Sequence, residues 1–194
     1  MSTTQNNFRQ HSQNSAHELP AGLMLGNYKI LKTIGRGGFG ITYLAKDEET
    51  GEEVVIKENL PSFYALRDQT SLTVTPLGEG EATHGYHWAL DRFLDEAKTL
   101  AKLNHPNIVK VIKAFSALGT AYYVMPVVNG GSMSTHAPAP EQMTEAWLSP
   151  ILKKLLQALA YLHNHTLLHR DLKPANILLD STGEPIIFDF GTAR

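Results

Sequence analysis

Three glycines, spaced Gly35-x-Gly37-x-x-Gly40, constrain this chain more than any other feature because of what flanks them. Tyr28-Lys29-Ile30-Leu31-Lys32-Thr33-Ile34 precedes them and Ile41-Thr42-Tyr43-Leu44-Ala45 follows. Both stretches read as strands, by alternation and β-branched content. A glycine loop that opens a helix would point to a parallel, doubly wound sheet. Here it opens a strand, so it lies at an antiparallel hairpin corner, where backbone without Cβ approaches another group closely. Alone, the loop is equally a plain flexible hairpin. A third strand, Glu53-Val54-Val55-Ile56-Lys57, follows a turn at Gly51 and completes a meander.

Residues 58–85 hold Pro61, Pro76, Gly78 and Gly80, which argue against one continuous element. A helix is predicted over 86–103, with Phe93, Ala97 and Leu100 on one stripe and Asp91, Arg92, Asp95, Lys98 and Lys102 mostly opposite. Glu96 stands beside the apolar stripe. Strands are predicted over 108–115 and 120–125, then a connector through Gly130-Gly131-Ser132, Pro138 and Pro140. A helix over 144–163 is capped either by Thr144, with Pro150 kinking it, or by Ser149, with Pro150 at the first helical position. Short strands follow at 177–179 and 186–188. Trp88 and Trp147 fall on helical stretches and read as packing residues. Residues 1–27 are polar, with too little apolar surface to offset ordering entropy, and read as a disordered tail.

Composition narrows the partners. At 42% hydrophobic and 19% charged, the 194-residue chain is globular rather than fibrous or disordered. Lys and Arg number 17 against 19 Asp and Glu, so no basic field marks a nucleic-acid or anionic-membrane binder, and neither partner is expected. The absence of Cys excludes a disulfide scaffold, a thiolate zinc site and a cysteine nucleophile. No apolar run reaches the ~18 residues of a membrane span, and the N-terminus carries no signal-peptide core. A cytoplasmic location is expected.

The residues that carry chemistry cluster late in the chain. Lys57 ends an apolar strand; it is either an ordinary strand-end charge or, if it points inward, a cation needing an anionic partner, for which Glu96 is available. His169-Arg170-Asp171-Leu172-Lys173-Pro174-Ala175-Asn176 is followed by Asp189-Phe190-Gly191. Asp171, Asn176 and Asp189 bring hard oxygen donors of the kind that suit Mg2+ and substrate phosphates. His163-x-His165-x-x-x-His169 invites a metal reading too, but no carboxylate of ligand spacing accompanies it.

Glycine loop, strand Lys57, helix Glu96, the His169–Asn176 run and Asp189-Phe190-Gly191 occur in the order found in protein kinases, and the chain resembles that family from residue 28 to its end. Lys57-Glu58-Asn59-Leu60-Pro61-Ser62 and Gly38-Phe39-Gly40-Ile41-Thr42-Tyr43 look like a bacterial branch of the Ser/Thr kinases. The resemblance implies an α+β, protein-kinase-like fold: a five-stranded antiparallel N-lobe sheet with one helix, and the beginning of a helical C-lobe. The tail would be 1–27, the N-lobe and hinge 28–128, and the partial C-lobe 129–194.

It further implies phosphoryl transfer from Mg-ATP to a Ser/Thr hydroxyl of a protein substrate. By match, Gly35, Gly37, Gly38 and Gly40 cover the phosphates, and Lys57, oriented by Glu96, holds them. Asn176 and Asp189 hold Mg2+. Asp171 takes the hydroxyl proton, and Lys173 contacts the γ-phosphate, as in Ser/Thr rather than Tyr kinases. His169 is structural, packing near Phe190. Met125 is the gatekeeper, Pro126 offers adenine a carbonyl and Val128 an N–H. Ile34, Thr42, Val55 and Leu178 wall the ring, with Thr42 where Val is usual and Val55 where Ala is usual. A nucleotide-binding, non-catalytic interaction module is the alternative. The chain stops three residues after Gly191, before an activation segment. It is therefore expected to bind Mg-ATP weakly or not at all alone, and to phosphorylate proteins poorly. Uncovered leucines at 152, 155, 156 and 159 are expected to promote self-association.

Overall fold

The computed structural model describes residues 17–190. The chain divides into two compact units, Met1–Asp95 with Ile112–Pro126, and Glu96–Val111 with Val127–Arg194. The first holds β1 (Met24–Leu25), β2 (Tyr28–Gly37), β3 (Gly40–Asp47), β4 (Glu53–Asn59), β5 (Ala65–Arg67) and β6 (Val74–Pro76). Helix α1 (Glu81–Lys102) begins in this unit, and β7 (Lys113–Ala117) and β8 (Thr120–Pro126) complete it. One antiparallel sheet runs β1-β2-β3-β4-β8-β7. It has six strands where the sequence predicts five. The extra one is β1, which pairs Met24 with Lys29 and Leu25 with Tyr28, inside the stretch read as tail. Leu19 and Leu25 are buried in the core, so order begins before Tyr28. Two residues are too few to show a period, which is why β1 escapes a sequence reading. The tail's residues 1–16 lie outside the described residues.

Side-chain alternation splits the sheet into two faces. Ile30, Ile41, Tyr43, Ala45, Val54, Ile56, Tyr122 and Val124 point into one core. The 58–85 stretch supplies part of that core: β5 and β6 form a hairpin, pairing Ala65 with Pro76 and Arg67 with Val74, and bury Ala65 and Val74 against the sheet. Arg67 is fully buried there with Glu58 of β4, and the two form an ion pair. The second Glu58 oxygen accepts from Tyr43 Oη at 2.8 Å. The same guanidinium donates to His17 O at 2.9 Å and to Leu72 O, at a residue held in the left-handed region (φ 59°). Tyr43 Oη in turn accepts from Leu19 N at 3.1 Å. One buried charge pair thus joins the N-terminal segment, β3, β4 and the hairpin.

Helix α1 starts five residues earlier than predicted, at Glu81. Gly85 lies inside it because a Cβ there would stand 2.5 Å from the Tyr64 ring. Phe93, Ala97 and Leu100 are buried as the stripe predicts. Trp88 is not a packing residue: it is 55% exposed, with the Arg92 guanidinium 5.2 Å from its ring. The strand predicted over 108–115 is shorter and later. Ile108, Val109 and Val111 are buried, but Val109 N donates to Ile187 O at 2.9 Å, and ladder pairing with β8 starts only at Lys113.

The second unit holds β9 (Gly130–Ser132), α2 (Met133–His136), α3 (Glu145–Asn164), β10 (Ile177–Asp180) and β11 (Pro185–Ile187). The predicted connector at Gly130 is instead a strand against β10, and glycine permits it: a Cβ would lie 1.9 Å from Leu179 O. Thr144 caps α3, accepting from Trp147 N, and Pro150 lies inside the helix. Ile151, Leu155, Ala158 and Leu162 are buried. Leu155 therefore does not lie uncovered as expected. Leu152 and Leu156 do, along a groove of about 730 Å³. No helix among the described residues is long and apolar enough to cross a membrane.

Candidate functional site

In the first unit, register places the expected residues on the sheet face opposite the core. Thr42 sits across from Lys57, Lys57 from Tyr123, and Val55 from both Leu44 and Met125. Residues directly opposite in a ladder share a face. Lys57 is half-buried, with Nζ 5.5 Å from the centroid of Tyr123, a cation–π contact that leaves the ammonium on this face. Tyr123 itself stacks on Phe93 of α1 at 4.9 Å. Met125 is buried and Pro126, the next residue, exposed. Ile34 is exposed beside the glycine loop.

Gly37 pairs with Gly40 and closes the hairpin over Gly38 and Phe39. None of the glycines at 35, 37, 38 and 40 has positive φ. Gly40 is required for another reason: a Cβ there would stand 2.0 Å from Glu58 O, so β4 approaches β3 closely just at the loop. The sequence marks the residues that follow β4 as a break and as part of the family resemblance but gives them no role at the site, yet they reach this loop. Leu60 N donates to Phe39 O and Ser62 N to Gly38 O, at 3.0 and 3.1 Å. The signal available was the Pro61-Ser62 turn; its partner is too remote in sequence to read.

In the second unit, a single 3-10 turn, Pro174–Asn176, draws the His169–Asn176 run into a knot. Asn176 is buried, and its Nδ2 donates to Asp171 O at 2.9 Å and to Asp171 Oδ2 at 3.0 Å. Lys173 Nζ donates to the same Oδ2 at 2.8 Å. The Lys173 hydrogen bond, aided by its charge and by Asn176, holds the Asp171 carboxyl below the usual carboxylate range. Phe188 N donates to Asn176 O at 3.1 Å, which brings the residue before Asp189 against the turn. Asn176 and Asp189 each carry hard oxygen donors of the type that would suit Mg2+. Leu178 is half-buried on β10, and Val128 half-buried after β8.

Arg170 and Asp189 both adopt left-handed backbone, φ 65° and 60°. For non-glycine residues this costs energy and concentrates at functional positions. His169 supports both. Its ring lies 4.6 Å from Phe190, its Nε2 bonds Phe188 O at 3.1 Å, and its Nδ1 accepts from Asp171 N at 3.4 Å. Those bonds make it structural, as expected. His165 bonds Tyr161 O at 2.8 Å through Nδ1. No group of three His, Cys, Asp or Glu at metal-ligand spacing occurs among the described residues. Gly191 lies outside them. Lys57 belongs to the first unit; Glu96, half-buried on α1, belongs to the second, with Asp171, Asn176 and Asp189.

Comparison with known proteins places this arrangement. The chain is 33% identical over 177 residues to the DNA damage-responsive serine/threonine-protein kinase RqkA of Deinococcus radiodurans, covering 89% of this chain and 23% of that protein. It is 32% identical over 166 residues to the mitogen-activated protein kinase kinase kinase ANP1 of Arabidopsis thaliana, covering 83% and 22%. It is 33% identical over 177 residues to the serine/threonine-protein kinase PknD of Chlamydia trachomatis, covering 86% and 17%. The chain thus spans about a fifth of the length of these relatives. A solved structure, the apo form of PpkA-294, superposes with a TM-score of 0.84 at 32% identity, over 91% of this chain and 62% of that one. The family model described as protein kinase domain matches residues 28–194, from the first long strand onward, and on that match the chain belongs to the protein kinase family.

Proposed function

We propose that the chain carries the nucleotide-binding and phosphoryl-transfer residues of an ATP-dependent protein serine/threonine kinase. The observation that carries this reading is the Asp171–Lys173–Asn176 knot: one carboxylate oxygen receives both an ammonium and an amide. In this reading Asp171, kept ionised, accepts the proton of a Ser/Thr hydroxyl on a protein substrate. Lys173 turns from Asp171 toward the γ-phosphate and stabilises charge developing there. Lys57, oriented by Glu96, holds the α- and β-phosphates, while backbone at Gly35, Gly37, Gly38 and Gly40 covers them. Asn176 and Asp189 hold Mg2+, which when bound neutralises phosphate charge. Pro126 O and Val128 N receive adenine beside Met125, between Ile34, Thr42, Val55 and Leu178. Proline is acceptable at 126 because only its carbonyl is used.

A cytoplasmic location is part of the proposal, since the reaction needs ATP. Self-association over the exposed Leu152 and Leu156 is proposed on the apolar character of that face, and a light-scattering concentration series reads it. The central test is a thermal-shift titration with Mg-ATP, repeated on Lys57→Ala. Ligand at about 100 times its dissociation constant adds about 2.7 kcal/mol of stability. Weak binding still saturates when Mg-ATP is raised far enough, so the unmodified chain is expected to shift at the top of the titration and the variant not. Equal shifts in both, or none in either, would sink the reading. Asp171→Asn is expected to abolish the low transfer the chain supports while leaving the Mg-ATP shift in place.

A further inference from the structure

The glycine hairpin of this chain does not end free. Leu60 N donates to Phe39 O at 3.0 Å, and Ser62 donates to Gly38 O through both N, at 3.1 Å, and Oγ, at 3.3 Å. The Phe63 ring flanks the same tip, 3.5 Å from where a Cβ at Gly38 would stand. The segment making these bonds is itself held. Tyr64 N and Ala65 N both donate to Pro61 O at 2.9 Å, closing a turn. The Tyr64 ring packs on Gly85 of α1, and Arg67 is locked into the buried pair with Glu58. The loop is held from its other side as well. Arg36, between the first two glycines, pairs with Glu18, which also accepts from Thr33 Oγ1 at 2.8 Å. Because Arg67 Nε donates to His17 O, both holds meet at one guanidinium.

We propose that the turn at residues 60–64 clamps the tip of the glycine loop, with Ser62 as its positioning residue, and so presets the loop for a nucleotide's phosphates. The proposal rests on the nucleotide reading of that loop. Its physical basis is entropic. Glycine loses more conformational freedom on ordering than any other residue. A loop already fixed by three backbone-directed bonds meets the phosphates without that ordering cost. A ligand lacking phosphates gains nothing from the clamp.

Ser62 is the second residue of the turn closed by Tyr64 N and Pro61 O, a position whose φ suits proline. Ser62→Pro therefore deletes both donors to Gly38 O while keeping the turn. Ser62→Ala keeps the backbone donor and serves as control. The full chain and both variants are titrated with Mg-ATP and with adenosine, followed by NMR. Ser62→Pro is expected to weaken Mg-ATP roughly 3- to 10-fold while adenosine binding stays within about twofold. Ser62→Ala is expected to stay within about twofold for both ligands. Equal weakening of both ligands, or no weakening, overturns the clamp. An unmodified chain that binds neither ligand overturns the nucleotide reading itself, and the positioning role with it. Amide hydrogen exchange of the unmodified chain decides the matter even if Ser62→Pro fails to fold. Leu60 and Ser62 amides are expected to exchange slowly, and exchange at unfolded-chain rates overturns the clamp whatever the ligands do.

Discussion

Asp171 and Lys173 are both substantially exposed, so their contact matters for proton affinity rather than for folding. Because the Lys173 hydrogen bond is the leading cause of the lowered Asp171 pKa, the carboxylate stays a base to lower pH than an ordinary aspartate. Lys173→Met is expected to lower phosphoryl transfer and also to move the acid limb of the kcat/KM profile, which reports the nucleotide-free chain, upward toward the ordinary carboxylate range. A slower enzyme with an unmoved acid limb would show that Lys173 does not govern Asp171. Gly40 makes a different kind of point. Its conservative replacement, Gly40→Ala, places Cβ 2.0 Å from Glu58 O, and that atom is backbone held in the β3–β4 ladder. Overpacking of this sort costs about 1–3 kcal/mol, so a lowered urea midpoint is expected, against little change for Gly37→Ala, where nothing lies within 4 Å.

The hairpin β5–β6 is where sequence and structure part most, and the reason is physical. Its strands are three residues each, too short for a period, and Arg67 reads as a surface charge unless Glu58 is known to be beside it. The long elements were legible for two reasons: burial imposes period 2 on β3 and β4 and 3.6 on the Phe93–Leu100 stripe, while β8, buried on both faces, reads as one continuous apolar run. The Asp171–Asn176 knot was legible because it is local, closed within one turn. The Ser62 contacts with Gly38 were not, because they join residues 24 apart whose types carry no mark of each other. The buried pair yields a sharp expectation. Removing one partner strands the other charge without solvent, so Arg67→Met or Glu58→Gln should each cost about 3–5 kcal/mol in denaturant unfolding. The double replacement should recover much of that loss, since neither charge then remains buried alone. Additive losses in the double variant would mean that the two side chains act independently.

For the molecule as a whole, the buried phenols set a stability limit on the alkaline side. Burial, reinforced by the Glu58 carboxylate, pushes the Tyr43 and Tyr122 hydroxyls far above the ordinary phenol range, and burial raises Tyr28 and Tyr86 in the same direction. A group whose native pKa lies above its unfolded value contributes stability that is complete below the unfolded pKa, near 10 for tyrosine, and is lost as pH rises beyond it. Stability should therefore fall steeply above about pH 10. The carboxyls act at the other end with opposite sign. Asp68 and Asp180 are lowered by hydrogen bonds from their own turns, so their contribution is present above about pH 4 and lost as pH falls further. Tyrosinate absorbance and circular dichroism, followed together through an alkaline titration, separate the cases. At least two of the seven tyrosines should ionise only as the helix and sheet signal is lost. If all seven ionise near pH 10 while that signal is intact, Tyr43 and Tyr122 are not held beside a charged Glu58, and the buried network at the back of the sheet is not the one described.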